Sequence, residues 1–224
     1  MWLQVACSNN NPEVSANNFL GCISEYGGCS VKVRSDCGTE NGVLAAIQCE
    51  FRGTADAHVF RSSPSNQRIE GWWSFYSRNR STWWINYFKD LIEKDEFHPG
   101  NQLEEEALWY CFSRILQENL DLVREHWNTH RIRDSKHDTV PGRPDELFFF
   151  FYQNVMGELM GYFYQLLPSR KLLFVSDNLL QHEDEINEFQ NYFDHIMADS
   201  NFHLPSNWRE AKWLYLQFVS IATQ

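Results

Sequence analysis

Along the first sixty residues the hydrophobic pattern keeps switching between period two and the three-to-four-residue period of a helix. Trp2, Leu3 and Val5 make residues 1–7 read as a strand. Asn9-Asn10-Asn11-Pro12 is a turn, and Pro12 suits a first helical position, where its missing N–H costs nothing. Val14, Phe19, Leu20 and Ile23 then give helical spacing over 12–26, and Gly27-Gly28 stops it. Residues 30–34 read as a short strand, Gly38 marks a turn, 40–51 read as a helix and 56–61 as another strand. Strand, helix, strand, helix, strand predicts parallel pairing and an α/β sheet, because parallel neighbours need a crossover between them.

The remainder reads as helical. Ser62-Ser63-Pro64-Ser65-Asn66 is a loop rich in capping residues. A long helical pattern runs from about Asn66 to Phe97 through Ile69, Trp72, Trp73, Tyr76, Trp83, Trp84, Tyr87, Phe88 and Leu91, and His98-Pro99-Gly100 ends it. A second runs from about Gln102 to Asn128, and Glu104-Glu105-Glu106 reads as its solvated, dipole-favoured start. Residues 133–145 form a linker containing Pro141, Gly142 and Pro144. Helices are expected over 147–164, 179–197 and 206–222, the last capped by Ser206.

Composition excludes several classes. With 43% hydrophobic and 16% aromatic residues the chain has the material for a core, which argues against disorder. No apolar run approaches bilayer length, and the start at Met1 lacks a signal-peptide pattern, so a nuclear or cytoplasmic location is expected. Six cysteines occur without a CxxC pair and read as free thiols; Cys22 and Cys29 do not have zinc-knuckle spacing. The net charge of −11 counts against strong independent binding to nucleic-acid phosphates.

Two carboxylates are candidates for chemistry. Asp36 follows the strand at 30–34, and ligands in parallel sheets collect beyond the carboxyl ends of strands. Glu70 falls one turn into the long helix. Phosphoryl transfer on nucleic acid uses carboxylate-held divalent metals, and Mg²⁺ keeps some waters, so few carboxylates suffice. Each also has an ordinary reading: Asp36 as a turn former beside Gly38, and Glu70 as a first-turn acid.

Arg34-Ser-Asp-Cys-Gly-Thr-Glu-Asn41, followed by Ser65-Asn-Gln-Arg-Ile-Glu70, resembles the integrase core of animal transposon-derived genes, which is related to retroviral integrases. The resemblance continues through the Trp-rich helix, Trp127-Asn-Thr-His130-Arg-Ile-Arg133 and Pro141-Gly-Arg-Pro-Asp-Glu-Leu147, and more weakly through Trp208-Arg-Glu-Ala-Lys-Trp-Leu-Tyr215. It implies a ribonuclease-H-like core acting on DNA, with Asp36 as second and Glu70 as third acid of a triad that holds Mg²⁺ or Mn²⁺. Asn66, Gln67 and Arg68 would touch the nucleic acid. The first acid of such a triad lies on an opening strand that would precede Met1, and no Asp or Glu occurs before Glu13. The resemblance therefore implies an N-terminally truncated core over 1–130, weak or absent metal binding, impaired catalysis, and a linker with an α-helical extension over 131–224. The other reading is a domesticated nucleic-acid- or protein-binding module without catalysis, the acidic charge being better matched to protein partners.

Other residues carry two readings each. His126 and His130 share a helix face, as a zinc pair does, but have no evident third ligand and read as structural or surface residues. The Trp72/Trp73 and Trp83/Trp84 pairs follow helical periodicity and read as core rather than base-stacking platforms. Lys32, Arg34, Arg61, Arg68, Arg78 and Arg80 read either as a phosphate-facing patch or as ordinary surface charge.

Overall fold

The computed structural model describes residues 3–6, 10–61, 67–134, 141–147, 164–166 and 188–222. The chain divides into two compact units, each made of two separate stretches: residues 1–60 with 117–182, and residues 61–116 with 183–224.

The first unit is α/β. Helix α1 (Pro12–Tyr26) opens on Asn11, whose side chain accepts a hydrogen bond from the Glu13 N–H, and has Pro12 in its first turn. It closes on Gly27, whose φ of 69° lets its N–H reach back to the carbonyls of Ile23 and Ser24. Strands β1 (Gly28–Ser30) and β2 (Val33–Ser35) follow, then α2 (Gly42–Arg52) and β3 (His58–Phe60). The predicted parallel pairing is present: β2 and β3 run parallel, with Val33 opposite His58 and Ser35 opposite Phe60. The single strand expected over 30–34 is instead two. The chain bends at Val31, and β1 pairs antiparallel with β4 (Tyr164–Leu166). Ala16, Leu20 and Ile23 of α1 pack with Ile47 and Phe51 of α2 and with Cys29 of β1 as the core of this unit.

Two expectations are corrected here. The strand over 1–7 is absent from its described residues 3–6, which pair with no strand. Gln117 holds them instead: its Oε1 accepts from the Val5 N–H at 2.8 Å and its Nε2 donates to the Leu3 carbonyl at 3.2 Å. The helix expected over 147–164 ends otherwise, because Tyr164 begins β4; residues 148–163 lie outside the described residues.

The described part of the second unit is helical. Helix α3 (Gln67–Tyr76) continues through a π-helical turn (Ser77–Ser81) into α4 (Thr82–Glu93). Then come α5 (Gln102–Thr129), whose second half belongs to the first unit, α6 (Glu188–Asp199) and α7 (Trp208–Ala222). The π turn has a packing consequence. Trp72 and Trp84 are both buried although twelve positions apart, which on a straight α-helix sets them about 120° apart. A π turn absorbs one extra residue and brings them to within about 20°. Trp84 joins Phe112, Ile115, Phe193, Ile196, Leu214, Tyr215 and Phe218 in a core drawn from α4, α5, α6 and α7.

The long helix ends at Glu93 rather than near Phe97. Asp95 takes the left-handed conformation at φ 59°, and the Glu96 N–H returns to the Leu91 carbonyl. Glu104 is buried, not solvated. It accepts from the backbone N–H of His98 at 2.7 Å and from Asn101 Nδ2 at 2.8 Å; the His98 ring lies 3.1 Å away, and the Tyr215 hydroxyl, which donates to the Glu96 carbonyl at 2.9 Å, lies 3.4 Å away. At α7 the cap is Asn207, whose side chain accepts from the N–H groups of Arg209 and Glu210, while Ser206 donates to Glu210. No helix among the described residues is long and apolar enough to cross a membrane.

Candidate functional site

Asp36 follows β2 directly, past the Ser35–Phe60 pair, at the carboxyl end of the parallel strands. The chain then makes a single 3-10 turn, Thr39–Asn41, before α2 begins. That turn folds Asn41 back so that its Nδ2 donates to Asp36 Oδ1 at 2.7 Å, with a longer contact of 3.4 Å to Glu40 Oε1. A Cβ at Gly38 would fall 2.0 Å from Glu40 Oε1, so a larger residue there would displace the end of that side chain. The Ser35 hydroxyl donates to the Asp36 carbonyl at 2.9 Å. The result is an exposed carboxylate held in orientation by a neutral amide, with a second carboxylate, Glu40, sharing that donor.

His58 cannot serve Asp36 as a base, because it begins β3 opposite Val33, at the other end of the strands. It is 8% exposed, and among the described residues neither ring nitrogen has a hydrogen-bond partner. Burial holds its pKa below the ordinary imidazole range, so the ring is neutral at physiological pH.

Glu70 lies in α3, in the second unit, with Gln67 and Arg68 in the first turn of the same helix; the side chains of all three lie outside the described residues. Asn66 lies outside them altogether. Asp36 and Glu70 thus belong to different units. Lys32 and Arg34 are exposed in the first unit, and Arg61, Arg78 and Arg80 in the second. His126 is exposed in the last turn of α5, whereas His130 turns back onto the helix end, its Nδ1 against the Trp127 carbonyl and its ring 4.6 Å from that of Trp127. Burial raises the thiol pKa of both Cys22 and Cys29.

Asp36 and Glu40 are hard oxygen donors, the kind Mg²⁺ and Mn²⁺ select. Among the described residues, no group of three His, Cys, Asp or Glu side chains is gathered to hold a metal ion. The donor chemistry therefore fits a divalent cation in kind. Sequence reasoning picked out Asp36 but missed Glu40 and Asn41, although both stand within the motif that carried the resemblance. A family model described as "Integrase core domain" matches residues 1–158 of the 224. No curated protein and no solved structure matches the chain.

Proposed function

The chain belongs to the integrase core domain family, which implies a ribonuclease-H-like fold, and on that footing we propose that it is a DNA-acting polynucleotidyl-transfer core with Asp36 and Glu70 as its metal-holding carboxylates. The observation that supports this best is the Asp36 carboxylate, oriented by Asn41 beyond the end of two parallel strands. Asp36 would hold the cation through the oxygen that Asn41 leaves over. Glu40 would add charge nearby, and Asn66, Gln67 and Arg68 would meet the nucleic acid where α3 begins. A Mg²⁺ or Mn²⁺ ion bound there would stabilise charge on the oxygens of a phosphoryl displacement.

Two acids of a triad bind metal less well than three. For these 224 residues we expect weak Mn²⁺ binding and impaired strand transfer. Such work would place the chain in the nucleus or the cytoplasm. The test is paramagnetic broadening of backbone amide signals by Mn²⁺. Selective broadening around Asp36, Glu40 and Asn41, lost in Asp36→Asn, is expected; uniform broadening, or broadening unchanged in that variant, overturns the assignment.

A second reading is a non-catalytic binding module with protein partners, favoured by the net charge of −11. The salt dependence of duplex DNA binding separates the two. A steep linear fall of log affinity with log salt supports the DNA-acting reading, and no measurable duplex binding supports the module.

A further inference from the structure

Each tryptophan pair divides. Trp72 is 3% exposed and Trp73 50%, because neighbours on a helix point about 100° apart. Trp73 borders an open cleft of about 590 Å³ lined by Ser74, Ser77 and Arg78. Its indole is braced by edge contacts to Trp72 at 4.7 Å and Tyr76 at 6.1 Å. Arg78 donates from Nε to the Ser74 carbonyl at 3.1 Å. That bond fixes the guanidinium while leaving its two terminal nitrogens for another acceptor. Among the described residues, none that lines the cleft is acidic, in a chain whose net charge is −11. Arg80, also exposed, follows in the same π turn.

We infer that this cleft is a subsite for single-stranded DNA, in which a base stacks on Trp73 and the adjoining phosphate meets Arg78. Position along α3 connects it with the acid proposed above. Counting from Glu70, residues 73, 74, 77 and 78 fall at steps of three, four, seven and eight, which is one helical stripe. The inference rests on the reading of Glu70 as part of a DNA-acting site and assigns a strand-binding role to residues outside the acidic set.

The chemistry favours an unpaired strand. An indole face pairs with the face of any base, but only when that base is out of a duplex, and a guanidinium supplies the matching phosphate contact. A peptide groove of this size would be lined by aliphatic side chains, and among the described residues this one has none.

The test is fluorescence anisotropy of the full chain with a labelled oligothymidine of about ten nucleotides and with a duplex of equal length. Trp73→Ala and Arg78→Ala should each weaken oligothymidine binding about tenfold, while Trp73→Phe keeps most of it. Duplex binding should not respond to Trp73→Ala. Unchanged thermal unfolding of the variants confirms that the fold is kept, as the exposure of both side chains predicts. Oligothymidine binding that ignores both substitutions, or no binding by the wild-type chain, overturns the inference. The metal-site reading is judged separately by Mn²⁺ broadening at Asp36. Concentration-dependent sedimentation that disappears in Trp73→Ala, with DNA affinity unchanged, would assign the cleft to a second copy of the chain and equally overturn it.

Discussion

His98 has a carboxylate on each side of its ring, Asp95 at 3.0 Å from Nε2 and Glu104 at 3.1 Å from Nδ1. Hydrogen bonds to Glu104 first and Asp95 second raise its pKa above the ordinary value, with the Glu96–Lys212 ion pair close by in the same connection. A raised folded-state pKa contributes stability that is complete below the unfolded value of about 6.5 and fades as pH climbs through the folded one. The loss of melting temperature on His98→Gln should therefore be larger at about pH 6 than at about pH 9; equal losses would mean that the ring is not charged in the fold. Glu104→Ala leaves the His98 N–H and Asn101 without their acceptor, while Tyr215 keeps the Glu96 carbonyl at 2.9 Å, and should cost about 2–3 kcal/mol in urea unfolding. Gly38→Ala meets no backbone strain at φ −64°, but its Cβ displaces Glu40. It should change stability by less than about 1 kcal/mol while weakening Mn²⁺ broadening at Asn41. That Asp36 closes a strand was legible in sequence, because a β-prone run precedes it and Gly38 marks the turn after it. The burial of Glu104 was not, because three consecutive glutamates look alike until Tyr215, 111 residues further on, arrives beside one of them.

Among the elements, α1 and α2 were readable to within two residues, because Pro12, Gly27 and Gly53 punctuate them. The π turn was not. Ser77-Arg-Asn-Arg-Ser81 contains no apolar residue to register a shift of phase, so the pattern on either side reads as one helix. Deleting one residue from Ser77–Ser81 should convert the turn to α-helix, keep Trp72 and Trp84 on one face, and preserve cooperative unfolding. It should also move Arg78 relative to Trp73 and lower oligothymidine affinity. Circular dichroism and anisotropy on one sample check both halves, and a collapse of unfolding cooperativity would show that the turn is structural. Adjacent aromatics were read together as core because periodicity treats a pair as one position. Only the packed helix separates Trp72 from Trp73 and Trp84 from Trp83.

For the whole molecule, the family match stops at residue 158, yet Phe193, Ile196, Leu214, Tyr215 and Phe218 lie in the same core as Trp84 and Phe112. Burying each such side chain is worth about 1.5–3 kcal/mol, and their sum is comparable with the net stability of about 5–15 kcal/mol typical of a domain. A chain ending at residue 187 should therefore lose its cooperative thermal transition and become sensitive to limited proteolysis between residues 67 and 116; retention of a full transition would refute this. That dependence was invisible in sequence, because nothing local to 188–222 names a partner in a helix far earlier in the chain. The same interleaving bears on synthesis. Residues 61–116 leave the ribosome with their apolar faces uncovered, and the helices that cover them, α6 and α7, are made only after the intervening stretch of chain. At about 5–20 residues per second, that interval lasts several seconds, long enough for a holding chaperone to bind the helical stretch before its own C-terminal helices do.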